Sequence, residues 1–149
     1  MELHGRVREF LDQTLKAMGI PLEITVVDTA DSVRFELSGD GGELLLRRRG
    51  EALDALQHVV NTAFRRQLED DRTFVLDCMD YRKGKDAELK QMARFIMEKA
   101  KLSGAPQEIG PLNPYARRLV HITVAEDAQM TSESIGDAFM KTVIISQRR

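Results

Sequence analysis

The run Asn113-Pro114-Tyr115-Ala116-Arg117-Arg118-Leu119-Val120-His121 carries the residue types and spacing best suited to chemistry in this chain. Asn113 suits a helix N-cap, because its side chain can accept a free amide of the first turn. Pro114 suits the first helical position, where its missing N–H costs nothing. Arg117 and His121 then lie one turn apart on one face. Arg118 joins them within a sector of roughly 100°. Tyr115, Ala116, Leu119, Val120 and Ile122 occupy most of the remaining circumference. A guanidinium offers a fixed fork of donors, and an imidazole can donate or stack, so the pair suits a phosphate or a splayed base. The same spacing also fits a solvated polar face, and spacing alone leaves both readings open.

A second basic group is Arg47-Arg48-Arg49-Gly50, which can attract phosphate electrostatically. Enzymatic readings lack parts. His4, His58 and His121 fall in different segments, and Cys78 is the single cysteine. Cys78 sits in an apolar run, where an inert buried thiol is the default. No Cys/His spacing resembles a zinc site, and Gly39 to Gly42 lacks the Gly-Lys-Ser/Thr of a phosphate loop. We therefore expect no catalysis, no cofactor and no metal. With two tyrosines, six phenylalanines and no tryptophan, aromatic platforms are not expected to dominate affinity for bases.

The elements that position these residues are legible from periodicity. Leu3, Val7, Phe10, Leu11, Leu15 and Met18 form one helical stripe, ended by Gly19 and Pro21. Leu22, Ile24 and Val26, then Val33, Phe35 and Leu37, alternate as two strands of a hairpin. A helix is expected from about Glu51 to Leu68, and Phe74 to Met79 reads as a buried strand. From about Arg82 a long helix follows, with Leu89, Met92, Ala93, Ile96 and Ala100 as its seam. Gln107 to Ile109 reads as a brief strand, Thr131 to Gly136 as a polar connection, and Val143 to Ile145 as a final strand. Tyr115 is expected to pack in the core, and His4 and His58 to be exposed. The fold class is α+β, as two small α/β sandwich modules, residues 1–80 and 81–149.

Charge divides along the same line. Residues 1–80 hold 10 Lys/Arg against 16 Asp/Glu, whereas residues 81–149 hold 12 against 8. The basic second half is the better candidate for meeting phosphate. No run of about 18 apolar residues exists to span a membrane, and the opening residues lack the layout of a signal peptide. A lone cysteine offers no intramolecular disulfide, so we expect a cytoplasmic protein without membrane insertion.

The motif Asn113-Pro114-Tyr115-x-Arg117-Arg118-x-x-His121, followed by Thr131-Ser132-Glu133-Ser134-x-Gly136, resembles the R-x-x-x-H (R-three-H) domain. Upstream, Arg49-Gly50-Glu51-Ala52-Leu53-Asp54-Ala55-Leu56-Gln57 resembles the loop and helix of a type II KH domain. This order of modules is that of the bacterial Jag family, also called SpoIIIJ-associated, EloR or KhpB. The resemblance covers nearly all of the chain, without the small N-terminal Jag domain that many members carry. It implies RNA binding tied to cell-elongation control, with a small single-KH protein as partner of some members; we expect single-stranded RNA, or single-stranded DNA, as ligand in post-transcriptional or cell-elongation control, and that small protein or a second copy as partner. Carried over by position, Arg117 and His121 would be the motif pair, with Asn113 and Arg118 beside them. The KH loop departs from the Gly-x-x-Gly pattern, since Arg47 replaces the first glycine and only Gly50 remains. Glycine there permits unusual φ and close approach. The loop then reads as a weakened clamp, as a purely electrostatic contact, or as part of a protein-docking adaptor. Basic residues expected before the final strand are replaced by Asp137-Ala138-Phe139-Met140, leaving Lys141 and a terminal Arg148-Arg149 expected to fray.

Overall fold

The computed structural model describes residues 2–149. The chain is α+β and divides into two units, Met1–Lys83 and Gly84–Arg149.

In the first unit the order is α1 (Leu3–Ala17), β1 (Glu23–Asp28), β2 (Ser32–Ser38), a 3-10 turn (Gly42–Leu46), α2 (Arg47–Phe64), a second 3-10 turn (Arg65–Gln67) and β3 (Thr73–Cys78). The strands form one sheet in the order β1-β2-β3. β1 and β2 are an antiparallel hairpin pairing Glu23 with Ser38 and Asp28 with Val33, and β3 lies parallel to β2. The alternating apolar residues of the hairpin, the α1 stripe at Val7, Leu11 and Leu15, and Leu53, Leu56 and Val60 of α2 meet in one core. Removing that much aliphatic and aromatic surface from water is the main force holding the unit together. The helix over 51–68 is shorter than the sequence suggests, because the chain tightens into the 3-10 turn at Arg65. His58 is exposed as expected, whereas His4 is half-buried, with Nδ1 3.8 Å from the Asp28 carboxylate.

Asp77, fully buried at the end of β3, links this sheet to the next helix, α3 (Tyr81–Ser103). Its carboxylate accepts from the backbone N–H groups of Cys78 (2.8 Å), Arg82 (2.7 Å) and Lys83 (3.2 Å) and from Arg34 Nη2 (3.4 Å). Three of the donors are backbone amides, two of them in the opening turn of α3, where such groups lack helical partners. Arg82, also buried, donates from Nε to the Leu76 carbonyl at 2.7 Å and pairs with Asp54 at 2.9 Å. These buried charges persist because each is hydrogen-bonded.

The second unit continues with β4 (Gln107–Leu112), α4 (Pro114–Ala125), β5 (Met130–Ile135) and β6 (Lys141–Gln147). The sheet is antiparallel in the order β4-β6-β5, so the last strand in sequence is central. Ala93, Met97 and Ala100 of α3 and Val120 and Val124 of α4 close over Ile109, Met130, Val143 and Ile145. Two expectations are corrected here. Met97, not Met92, enters the core, and Met92 is 54% exposed; position 97 lies one turn beyond Ala93 on the buried face, and position 92 is rotated off it. Thr131 to Gly136 is not a polar connection, since residues through Ile135 form β5, paired along its length with β6. Its strand character is masked because inward positions 132 and 134 are serines.

Candidate nucleic-acid interface

α4 starts as its sequence dictates. Asn113 has extended backbone, its Oδ1 accepts from the Ala116 N–H at 2.8 Å, and Pro114 holds the first helical position. This cap sets the rotation of the helix, and therefore where Arg117, Arg118 and His121 point.

Arg117 and His121 are half-buried, and Arg118 is exposed. The expectation of one solvent-facing stripe is therefore corrected for the motif pair. Arg117 Nη1 donates to the carbonyls of Leu112 (2.6 Å) and Phe139 (2.7 Å). It straps the end of β4 to the segment that leads into β6. That segment carries Phe139 (53% exposed) and Met140 (47%), apolar residues where basic ones were expected. Tyr115 is likewise less of a core residue than expected. It is half-buried, and its hydroxyl donates to the Asp86 carboxylate.

His121 lies against β5. Nδ1 is 2.6 Å from Ser132 Oγ, and Nε2 is 2.8 Å from Ser134 Oγ. In a neutral imidazole one nitrogen donates and the other accepts, and a serine hydroxyl can serve either. Burial, and secondarily the Arg117 charge, hold the His121 pKa below its ordinary 6.5. The ring is thus neutral at physiological pH and fixed in orientation by two hydroxyls. Sequence reading placed Ser132 and Ser134 in a motif segment but assigned them no contact. Their spacing of two, opposite a histidine, becomes meaningful only once that segment is known to be a strand.

Between α4 and β5 runs a groove of about 490 Å³, lined by Arg117, Arg118 and His121 together with Pro114, Ile122, Ala125 and Ser134. Its helix residues recur every three or four positions, one stripe along α4. A larger hollow of about 710 Å³ lies in the first unit beside α1 and β1, where Arg8 is offset by Glu9, Asp12 and Glu23. That mixed lining does not suit a polyanion.

The second basic group sits in the first unit. Arg47, Arg48 and Arg49 are exposed and Gly50 is buried. Arg47 has φ −62° and ψ 151°, ordinary extended backbone. The left-handed conformation falls on Arg48 (φ 53°), Arg49 (φ 59°) and Gly50 (φ 75°). An arginine at position 47 therefore needs no unusual φ in this loop. Gly50 is the position that needs its missing side chain, because a Cβ there would lie 2.8 Å from Cε1 of the Tyr81 ring. The regular part of α2 begins after this loop, so the arginines stand at the positive end of a helix dipole. Arg48 lies 4.0 Å from Glu51, an exposed pair that contributes little.

Cys78 is fully buried, its thiol points at the Gly42 carbonyl at 3.6 Å, and burial first, then the charges of Asp77 and Glu43, raise its pKa. Glu36, Asp77 and Asp80 approach one another, but Arg34 and Lys83 already stand among them. Arg148, expected to fray, is bonded in this structure: its N–H donates to the Gln129 carbonyl at 2.8 Å and its Nε to that of Met130 at 3.2 Å. No helix among the described residues is long and apolar enough to cross a membrane.

The R-three-H domain family matches residues 87–147, which include α4 and all three strands of the second sheet. The RNA-binding protein KhpB of Clostridium symbiosum is 31% identical over 149 residues, covering 99% of this chain and 67% of that protein. The RNA-binding protein KhpB of Bacillus subtilis (strain 168) is 23% identical over 142 residues, covering 94% of this chain and 68% of that protein. The one from Lactiplantibacillus plantarum is 23% identical, covering 95% of this chain and 44% of its own length. With the motif helix formed and similarity running nearly end to end across both units, the chain belongs to the KhpB family, also known as Jag or EloR, and carries an R-three-H domain in its second unit.

Proposed function

We propose that this chain binds single-stranded RNA without catalysing a reaction, with the α4–β5 groove as its principal site. The observation that carries this reading is the groove itself, where two arginines and a neutral, clamped imidazole border an apolar floor. Guanidinium groups suit phosphate, and an apolar floor suits an unstacked base. Arg117, Arg118, His121 and Asn113 form this site, Asn113 by orienting the helix. In the first unit, a KH-like fold, Arg47, Arg48, Arg49 and Gly50 form an auxiliary contact in which charge replaces close backbone approach. The first unit is also where a small single-KH protein or a second copy would dock, and the cytoplasm is where such a protein would work.

The test is fluorescence polarisation with a labelled single-stranded RNA and the matching duplex across a salt series. Binding should favour the single strand, and log Kd should be linear in log salt. Arg118→Ala should weaken binding and reduce that slope by about one. Arg48→Ala with Arg49→Ala should weaken binding less than Arg118→Ala does. Single-strand affinity indifferent to salt and to Arg118 would overturn the reading and favour a protein-docking adaptor.

A further inference from the structure

The ring of His121 is held edge-on against β5, and this decides what it can offer a ligand. An imidazole has two in-plane hydrogen-bonding positions, one at each nitrogen. Both are occupied, by Ser132 Oγ at 2.6 Å and Ser134 Oγ at 2.8 Å. Alternate residues of a strand lie about 7 Å apart on one face, a span that admits an imidazole with a hydroxyl at either side. A phosphate approaching Nδ1 or Nε2 would have to displace one of these hydroxyls and leave it unpaired. What remains is the face of the ring, and the ring lines the groove. Next along α4, Ile122 is 49% exposed and lines the same groove, adding apolar surface that suits a base.

We propose that His121 is a stacking platform for one nucleobase, and that phosphate contact in this groove falls to the arginines. The inference rests on the RNA-binding reading above and divides the labour within that site. The neutral state of the ring supports it, since an uncharged imidazole has no ion pair to offer a phosphate. Its two serine partners, and not the motif spacing, determine this role.

The test compares a random-sequence single-stranded RNA with an all-abasic strand of the same length, on the full chain. His121→Ala should weaken the base-bearing strand by about five- to 150-fold, the range seen when one stacking side chain is removed. It should leave the abasic strand unchanged and the salt slope at its wild-type value. His121→Phe, which keeps a ring face and lacks ring nitrogens, should retain most of the affinity. Should either variant fold poorly, the wild-type protein decides by NMR. The Hδ2 and Hε1 resonances of His121 should move upfield with the base-bearing strand and stay in place with the abasic one. Equal losses on both strands with a slope lowered by about one would make His121 a phosphate ligand and overturn the proposal. Binding with no shift of those resonances would overturn it too, while leaving RNA binding intact. A wild-type chain that binds neither strand overturns the proposed function, and this inference with it.

Discussion

Replacing Arg117 with alanine should damage the second unit as well as its ligand site, and the size of the damage follows from two hydrogen bonds. Arg117 Nη1 donates to the Leu112 carbonyl in a partly buried setting, and to the Phe139 carbonyl in an exposed one. A hydrogen bond from a charged donor contributes about 1.5–3 kcal/mol where water cannot replace it. The Leu112 contact counts near the lower end of that range, and water recovers most of the Phe139 contact. The expected loss is therefore about 2 kcal/mol, which for a unit of this size lowers Tm by about 10 °C. Arg117→Lys, with a single point donor in place of a fork, should fall between. Thermal denaturation followed by circular dichroism gives the midpoint. Hydrogen exchange of the β6 amides assigns the change to the second unit. If Arg117→Ala melts with the wild type and loses only RNA affinity, Arg117 is a ligand contact and the strap between Leu112 and Phe139 contributes nothing.

Two glycines should respond to alanine with opposite signs. Gly50→Ala meets Tyr81 at 2.8 Å with φ at 75°, and should destabilise the first unit by about 2–4 kcal/mol from strain and overpacking. Gly84→Ala, inside α3 with nothing within 4 Å of the new Cβ, should stabilise by about 0.5–1 kcal/mol; urea midpoints shifting the same way would refute the pair. Asn113→Ala removes the acceptor for the Ala116 N–H and should cost about 1 kcal/mol, with Asn113→Ser restoring most of it in the same denaturation. Because the folded state holds His121 neutral below its ordinary 6.5, the unfolded chain takes up that proton first as pH falls. The His121 contribution is therefore full above pH 6.5 and declines as the pH drops below it. His121→Gln should flatten the acid limb of the second unit's stability, and an identical pH profile in wild type and variant would exclude the mechanism.

Much of the fold was legible because its segments obey local rules. The α1 stripe, the hairpin alternation from Leu22 to Leu37 and the Asn113-Pro114 start of α4 each declare themselves within one or two turns of chain. The α+β class follows from that order of elements. Resemblance to a known motif singled out Arg117 and His121 among twenty-two basic residues and three histidines. Local pattern was silent where a residue's partner is distant. β5 was missed because its inward positions, Ser132 and Ser134, face an imidazole and so carry no apolar signal. Met97 replaced Met92 in the core because neighbouring positions on a helix differ by about 100°, and only packing reveals which one faces inward. Position 47 looked like the damaged point of the loop, yet the left-handed turn falls on the residues after it. The sequence by itself thus determined which residues could meet a nucleic acid and on which helix they stand. Only the tertiary structure decided that Arg117 is bonded to two carbonyls and that both ring nitrogens of His121 meet serine hydroxyls. Those partners lie between 5 and 22 residues away in the chain, and folding alone brings them within hydrogen-bonding range.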